Sequence, residues 1–522
     1  MTSESTDGRA AGIAAGYATE GQALELGTVV VDGVADPAAR VRIPLATVNR
    51  HGLVAGATGT GKTKSLQVLA EQLSAAGVPV LMADVKGDLS GLARPGEPGE
   101  KVSERAADTG DAWTPTAYPV EFLTLGTGGV GVPVRATVSS FGPILLSKVL
   151  GLNQTQESTL GLIFHWADQK GLPLLDLKDL RSVIHFLTSE EGKPELKALG
   201  AVSSTTAGVI LRTLINLEAE GADTFFGEPE FEPDDLLRLH ADGRGVATLL
   251  ELGSQAARPV LFSTFLMWVL ADLFTTLPEV GDLDKPKLVF FFDEAHLLFA
   301  DASKAFLEQV EQTVKLIRSK GVGVFFCTQL PTDVPNGVLS QLGARVQHAL
   351  RAFTPDDEKA LRKTVRTYPK TDVYDLQSAL STLGIGEAIV TVLSEQGVPT
   401  PVAWTRMRAP RSLMDTIGAE AITAAATASP LQAEYGQTVD RESAYERLAA
   451  RLAPPPVAPP ADLPPVPPPY DIPPMPAPAP EPGLFDKVMD SPAFKSAMRS
   501  AGTVIGREIT RSIFGTGRRR RR

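Results

Sequence analysis

Residues Gly56-Ala57-Thr58-Gly59-Thr60-Gly61-Lys62-Thr63 match the pattern G-x-x-x-x-G-K-[ST] in full. The glycines let the backbone wrap tightly, so that its N–H groups point inward at phosphate oxygens. A helix beginning at Lys62 adds the positive end of its dipole. Lys62 is placed to neutralise β- and γ-phosphates, and the Thr63 hydroxyl to ligate Mg²⁺. Gly56 through Lys64 is therefore the expected nucleotide-binding segment, with ATP as substrate and Mg²⁺ as cofactor.

Leu288–Phe292 is an apolar run that ends in Asp293-Glu294-Ala295-His296. In a phosphate-loop fold a buried strand of this kind delivers Asp293 beside the metal, and Glu294 is placed to polarise the attacking water. A second apolar run, Gly323–Thr328, ends at Gln329, which is placed to sense the γ-phosphate; a polar strand cap is the simpler alternative. Cys327 lies inside that run with no general base nearby and reads as a small core residue. Asp84-Val85-Lys86-Gly87-Asp88 follows another short apolar run and either faces the nucleotide or forms a solvated turn. His296 couples the acid pair to its surroundings or simply packs, because the histidines are scattered without metal-ligand spacing. Phosphoryl transfer also needs positive charge in its transition state. Arg318, Arg345 and Arg351 are the candidates, and with one ATPase core in the chain such an arginine would come from a neighbouring subunit.

Positioning these groups requires an α/β fold with a mainly parallel sheet. His51–Ala55 reads as a strand, Lys62–Ala76 as a helix from Leu66, Leu69, Ala70 and Leu73, and Val78–Ala83 as the next strand. That order opens a βαβ unit. Leu26–Val31 and Val41–Leu45 read as a small amino-terminal β element, and residues 1–22 as disordered. From 142 to 240 the pattern turns helical, either as an insertion in the core or as a separate domain. Strands resume at Gly245–Leu252, Lys287–Phe292, Val322–Thr328 and Arg345–Phe353. Ala388–Leu393 and Val402–Arg406 suggest a closing hairpin near residue 410. A helical extension is expected over 411–453, a proline-rich linker over 454–483, and an amphipathic helix with an arginine-rich end over 484–522.

Composition narrows the functional classes. The single cysteine rules out an internal disulfide framework and fits a reducing, cytoplasmic setting. No apolar run approaches the roughly 18 residues that span a bilayer. The net charge of −11 argues against binding nucleic acid over the whole surface. Any positive charge for DNA must be local, in a groove, a pore or the Arg518–Arg522 tail. That tail could also dock on anionic lipid or a partner protein, or be partly disordered.

The order of phosphate loop, Asp-x-Lys-Gly-Asp, helical segment, Asp-Glu-Ala-His and Thr-Gln resembles the HerA-like ATPases of the HerA/FtsK superfamily. Gly56–Lys64, Phe292–Phe299, Ile317–Gln329 and Arg345–Thr354 look closest to the bacterial YjgR-type proteins. The resemblance covers about residues 20–410 and, more loosely, the tail. It implies a RecA-like core, a homo-hexameric ring and a DNA translocase or helicase. Lys62, Thr63, Asp293, Glu294 and Gln329 fall on family motif positions, whereas the arginines do not transfer cleanly. A motor for protein translocation or for secretion or conjugation assembly is the alternative, followed by a nucleotide-gated scaffold. The Asp-Glu-Ala-His string alone would suit a DEAH-box helicase, but no second RecA-like domain follows Thr354.

Overall fold

Strands β1 (Ala23–Val31), β2 (Val34–Pro44), β3 (Gly52–Ala55), β4 (Val80–Asp84), β5 (Val120–Leu125), β6 (Val132–Val134), β7 (Ala247–Glu251), β8 (Leu288–Phe292), β9 (Val322–Thr328), β10 (Ala344–Gln347), β11 (Glu387–Thr391) and β12 (Ala403–Met407) form one sheet. Its order is β2-β1-β12-β11-β10-β3-β9-β8-β4-β7-β5-β6. These relations come from a computed structural model, which describes residues 6–198, 200, 203–252, 259–281, 283–299 and 304–452. The linker and tail expected over 454–522 lie outside the described residues.

From β10 to β6 every neighbouring pair is parallel. From β2 to β10 every pair is antiparallel. The α/β fold with a mainly parallel sheet is thus the one the motif order demands, and the expected closing hairpin is β11 and β12. The amino-terminal β element is β1 and β2, joined to the main sheet through β12.

Strands buried on both faces read as continuous apolar runs, and β8 and β9 show why. Val289, Phe291, Phe325 and Cys327 point to one face and pack with Leu66, Leu69 and Leu73 of helix α2. Phe290, Phe292, Val324 and Phe326 point to the other. Phenylalanines also pair across the two strands, Phe291 with Phe325 and Phe292 with Phe326, at centroid separations of 5.3 and 5.5 Å.

The first helix, α1 (Thr6–Ala15), corrects the expectation of disorder before residue 23. Ala10, Ile13 and Tyr17 are buried, at the i, i+3, i+7 spacing of one helical face. The Tyr17 hydroxyl donates toward the carbonyls of Val390 and Pro401, at 2.8 and 2.6 Å. Next along the chain come α2 (Lys62–Ala75) and α3 (Glu100–Thr109). Helices α4 (Val138–Val149), α5 (Gln154–Gln169), α6 (Leu177–Thr188), α7 (Lys193–Ala198) and α8 (Ser204–Ala219) form the helical segment. Side chains of all five share one hydrophobic cluster with the sheet and with α9 (Pro259–Thr276). Among the described residues no helix is long and apolar enough to cross a membrane.

Candidate active site

The phosphate loop links β3 to α2. Gly56 and Gly61 adopt φ of 153° and 113°, conformations that side chains rarely take. At Gly56 there is also no room, since a Cβ there would lie 2.5 Å from the Cβ of His348. The Gly56 amide donates to the Thr328 carbonyl at 3.2 Å, and the Ala57 amide to the Ala349 carbonyl at 2.8 Å. Strands on both sides of β3 therefore fix where the loop begins. The Lys62 ammonium is buried and donates to the carbonyls of Gly56 (2.7 Å) and Ala57 (3.2 Å). Thr58 and Gly59 are exposed, and Thr63 and Lys64 half-buried on the first turn of α2.

His348 supports the loop from below. Its Nδ1 lies 2.8 Å from the Glu387 carbonyl and its Nε2 2.9 Å from the Ser65 hydroxyl. A carbonyl only accepts, so Nδ1 carries the proton and Nε2 accepts from Ser65. Burial lowers the pKa of this imidazole to about 4, which keeps it neutral at physiological pH. No local sequence signal marks His348, because its partners come from α2 and β11.

The sheet order sets the rest of the site. Strand β9 lies between β3 and β8, so Gln329 emerges between the phosphate loop and Asp293. Gln329 is exposed. Asp293 and Glu294 are both buried. The Glu294 amide donates to Asp293 Oδ1 at 2.9 Å. Glu294 has a φ of 50°, which is uncommon for a side chain with a Cβ. Its Oε1 takes the Lys86 ammonium at 2.5 Å, and its Oε2 lies 3.4 Å from His296 Nδ1. His296 is thus beside the acid pair. Burial raises the Asp293 pKa against a bond from Cys327, and burial with Asp293 alongside pushes the Cys327 thiol well up. That thiol is held protonated, as a core residue rather than a nucleophile.

Asp84 resolves the Asp-x-Lys-Gly-Asp segment. Its carboxylate accepts from the amides of Lys86 (3.2 Å), Gly87 (2.7 Å) and Leu89 (2.8 Å), so it folds the turn that carries Lys86 to Glu294. Burial, with a contribution from Asp293, raises its pKa to about 6 against those three bonds.

The arginines separate by position. Arg318 precedes β9, at the amino end of the parallel strands, while the phosphate loop follows the carboxyl end of β3. At about 3.3 Å per residue the seven residues of β9 put roughly 20 Å between those ends. Arg345 pairs in register with Leu53, below the loop, and donates to Thr367 at 2.7 Å. Arg351 follows β10 at the carboxyl edge and is exposed.

Glu251 was not singled out by any motif. It ends β7 in register with Asp84. It is only 6% exposed, and its Oε1 has no hydrogen-bond partner. Burial and the neighbouring Asp84 raise its pKa to about 8. The folded protein therefore holds a proton that the unfolded chain releases near pH 4–5. The stability from that proton is complete below the ordinary carboxyl range and is lost as pH rises through about 8. Wild type should lose melting temperature between about pH 5 and pH 9, and Glu251→Gln should lose less and be the more stable protein at about pH 9. Parallel melting curves for the two proteins across that range would refute the assignment.

Glu294 Oε2 is buried without a hydrogen-bond partner. With the Asp293 carboxylate at the adjacent residue and the Thr63 hydroxyl on the helix turn, the oxygen donors suit a hard divalent ion such as Mg²⁺.

No curated protein sequence matches the chain. Among solved structures, the bacterial conjugative coupling protein TrwB without its first 70 residues superposes with a TM-score of 0.50 at 16% identity, over 78% of this chain and 94% of that one. VirB4 of Thermoanaerobacter pseudethanolicus gives 0.46 at 15% identity, over 75% and 98%. The TrwB superposition supports the fold alone. The family model described as "Helicase HerA-like C-terminal" matches residues 31–522, and the chain belongs to that family.

Proposed function

We propose that this protein hydrolyses ATP as a HerA-type motor, working as a homo-hexameric ring that moves or unwinds DNA. The observation that carries the ATPase reading is the sheet order. It brings the ends of β3, β9 and β8 side by side, so that Lys62, Gln329 and the Asp293-Glu294 pair share one edge.

On this reading the phosphate-loop amides and Lys62 bind and orient the triphosphate. Mg²⁺, held by Thr63 and Asp293, would offset phosphate charge. Glu294 orients the attacking water and takes its proton, and Gln329 contacts the γ-phosphate. Arg351, exposed at the carboxyl edge, is the arginine best placed to reach a neighbouring subunit's site. Family membership supports the motor and its action on DNA.

The test is ATP hydrolysis with and without DNA at several salt concentrations. Duplex or single-stranded DNA should stimulate turnover, and the stimulation should fall steeply with salt. Lys62→Ala should abolish it. Turnover that ignores both forms of DNA would set the DNA motor aside. The fold it shares with a conjugative coupling protein then favours a motor of a secretion or conjugation assembly.

A further inference from the structure

Beside the phosphate loop lies a pocket of about 250 Å³ that none of the residues assigned above to phosphate, metal or water fills. Gly61, Lys64 and Ser65, at the first turn of α2, form one side. Ile385, Met407, Ala409, Pro410 and Met414 form an apolar wall opposite. We propose that this pocket receives the base and ribose of the nucleotide. The proposal rests on the phosphate-loop reading and extends it.

Direction comes first. A nucleoside triphosphate is a linear ligand, and its cleaved end must meet Asp293 and Glu294. Those residues end β8, on one side of β3 in the sheet. The nucleoside must then extend toward the other side, past β10, β11 and β12. The pocket lies there, between α2 and the turns that precede β11 and follow β12.

Chemistry comes second. Three of the cationic side chains that line the pocket are already engaged with protein acceptors. The Arg105 guanidinium donates to the carbonyls of Ile385, Gly386 and Met407 at 3.0, 2.7 and 3.0 Å. Arg408 is paired with Asp111 at 2.6 Å, and the Lys64 ammonium donates to the Met414 carbonyl at 2.8 Å. Lys101 is exposed. What the wall offers is hydrocarbon and thioether surface, suited to a flat heterocycle rather than to a further phosphate. Ile385 and Met414 leave 74% and 40% of their surface in water, and a stacked base would cover them. The volume is below the roughly 300–1,000 Å³ of drug-sized sites, in keeping with one nucleoside.

Registration comes third. The Gly386 amide donates to the Thr60 carbonyl at 3.0 Å, and the Met407 amide to the Gly386 carbonyl at 2.9 Å. A Cβ at Gly61 would sit 3.2 Å from the Gly386 nitrogen. The wall is thus bonded directly to the phosphate loop, and Arg105 clamps the two halves of the wall together. A base and a triphosphate held by one such unit need little rearrangement to bind together.

The test compares ATP with inorganic tripolyphosphate, which lacks base and ribose. Ala409→Trp fills the pocket, and Ile385→Asp changes a solvent-exposed wall residue without disturbing the core. Each should weaken ATP binding by about tenfold or more and leave tripolyphosphate binding within about twofold. An ATP photoprobe carrying its azide on the base should label the peptides around residues 385–386 and 407–414. Unchanged ATP affinity in both variants, equal loss of both ligands, or labelling elsewhere would overturn the proposal. Failure of the phosphate-loop reading looks different: Lys62→Ala would then bind tripolyphosphate as well as wild type does.

Discussion

Glu294→Gln lowers ATP turnover by about 10²–10⁴-fold, the usual contribution of a positioned general base, and leaves ATP affinity within about threefold because the same contacts hold the ground state. The geometry explains the split. Glu294 is one residue beyond Asp293, at a positive φ that turns its carboxylate away from the strand direction, and it contacts no residue of the phosphate loop. Glutamine keeps the shape and the bond from Lys86 at one oxygen, but its amide cannot accept a proton from water. Lys86→Met provides the complementary measurement. It leaves the carboxylate in place without its ammonium partner, so turnover should fall while ATP binding persists. Single-turnover hydrolysis with a separate binding titration distinguishes these effects. An affinity loss that matches the rate loss in Glu294→Gln would show that Glu294 builds the site rather than acts in it.

Lys62→Ala removes both binding and turnover, with hydrolysis falling by at least about 10²-fold, the cost of deleting one positioned donor to developing charge. It carries a second effect that follows from the bonds to Gly56 and Ala57. Those carbonyls lose a charged donor, and a buried acceptor left unsatisfied costs about 1–3 kcal/mol. The variant should therefore melt lower than wild type without nucleotide. It should also lose the stabilisation that Mg-ATP gives wild type, about 2.7 kcal/mol at a hundredfold excess over Kd. Thermal shifts with and without Mg-ATP read both quantities. A full ATP-dependent shift in the variant would place the phosphates elsewhere.

What the sequence revealed and what it concealed divide along range. The phosphate loop is local: glycines, lysine and threonine fall within one turn of chain, and the apolar runs before Asp293 and Gln329 are long enough to read as buried strands. The parallel sheet follows from them. Glu251 and His348 are long-range. Glu251 matters because register sets it against Asp84, and His348 because it spans Ser65 and Glu387. Arg105 likewise reaches carbonyls some 280 positions later. No periodicity in a short window carries such pairings. Strands β5 and β6 escaped for a different reason: they are short, and β6 holds a proline that weakens its strand signal. The helix α1 was legible in principle, but its face uses one alanine, one isoleucine and a tyrosine, too little apolar bulk to stand out from a polar start.

The antiparallel join of β1 to β12 has a consequence for how the chain is made. Gly27 pairs with Met407, so an early strand waits for one synthesised near the end of the core. Strand β3 waits as well, since its two neighbours, β9 and β10, both begin after residue 321. Contacts of such long sequence separation form slowly and expose unpaired edges in the interval. A nascent chain that already contains all of Gly56–Thr63 therefore has no working phosphate loop. Nucleotide binding becomes a report of completed synthesis, and an amino-terminal fragment ending before β9 should bind none.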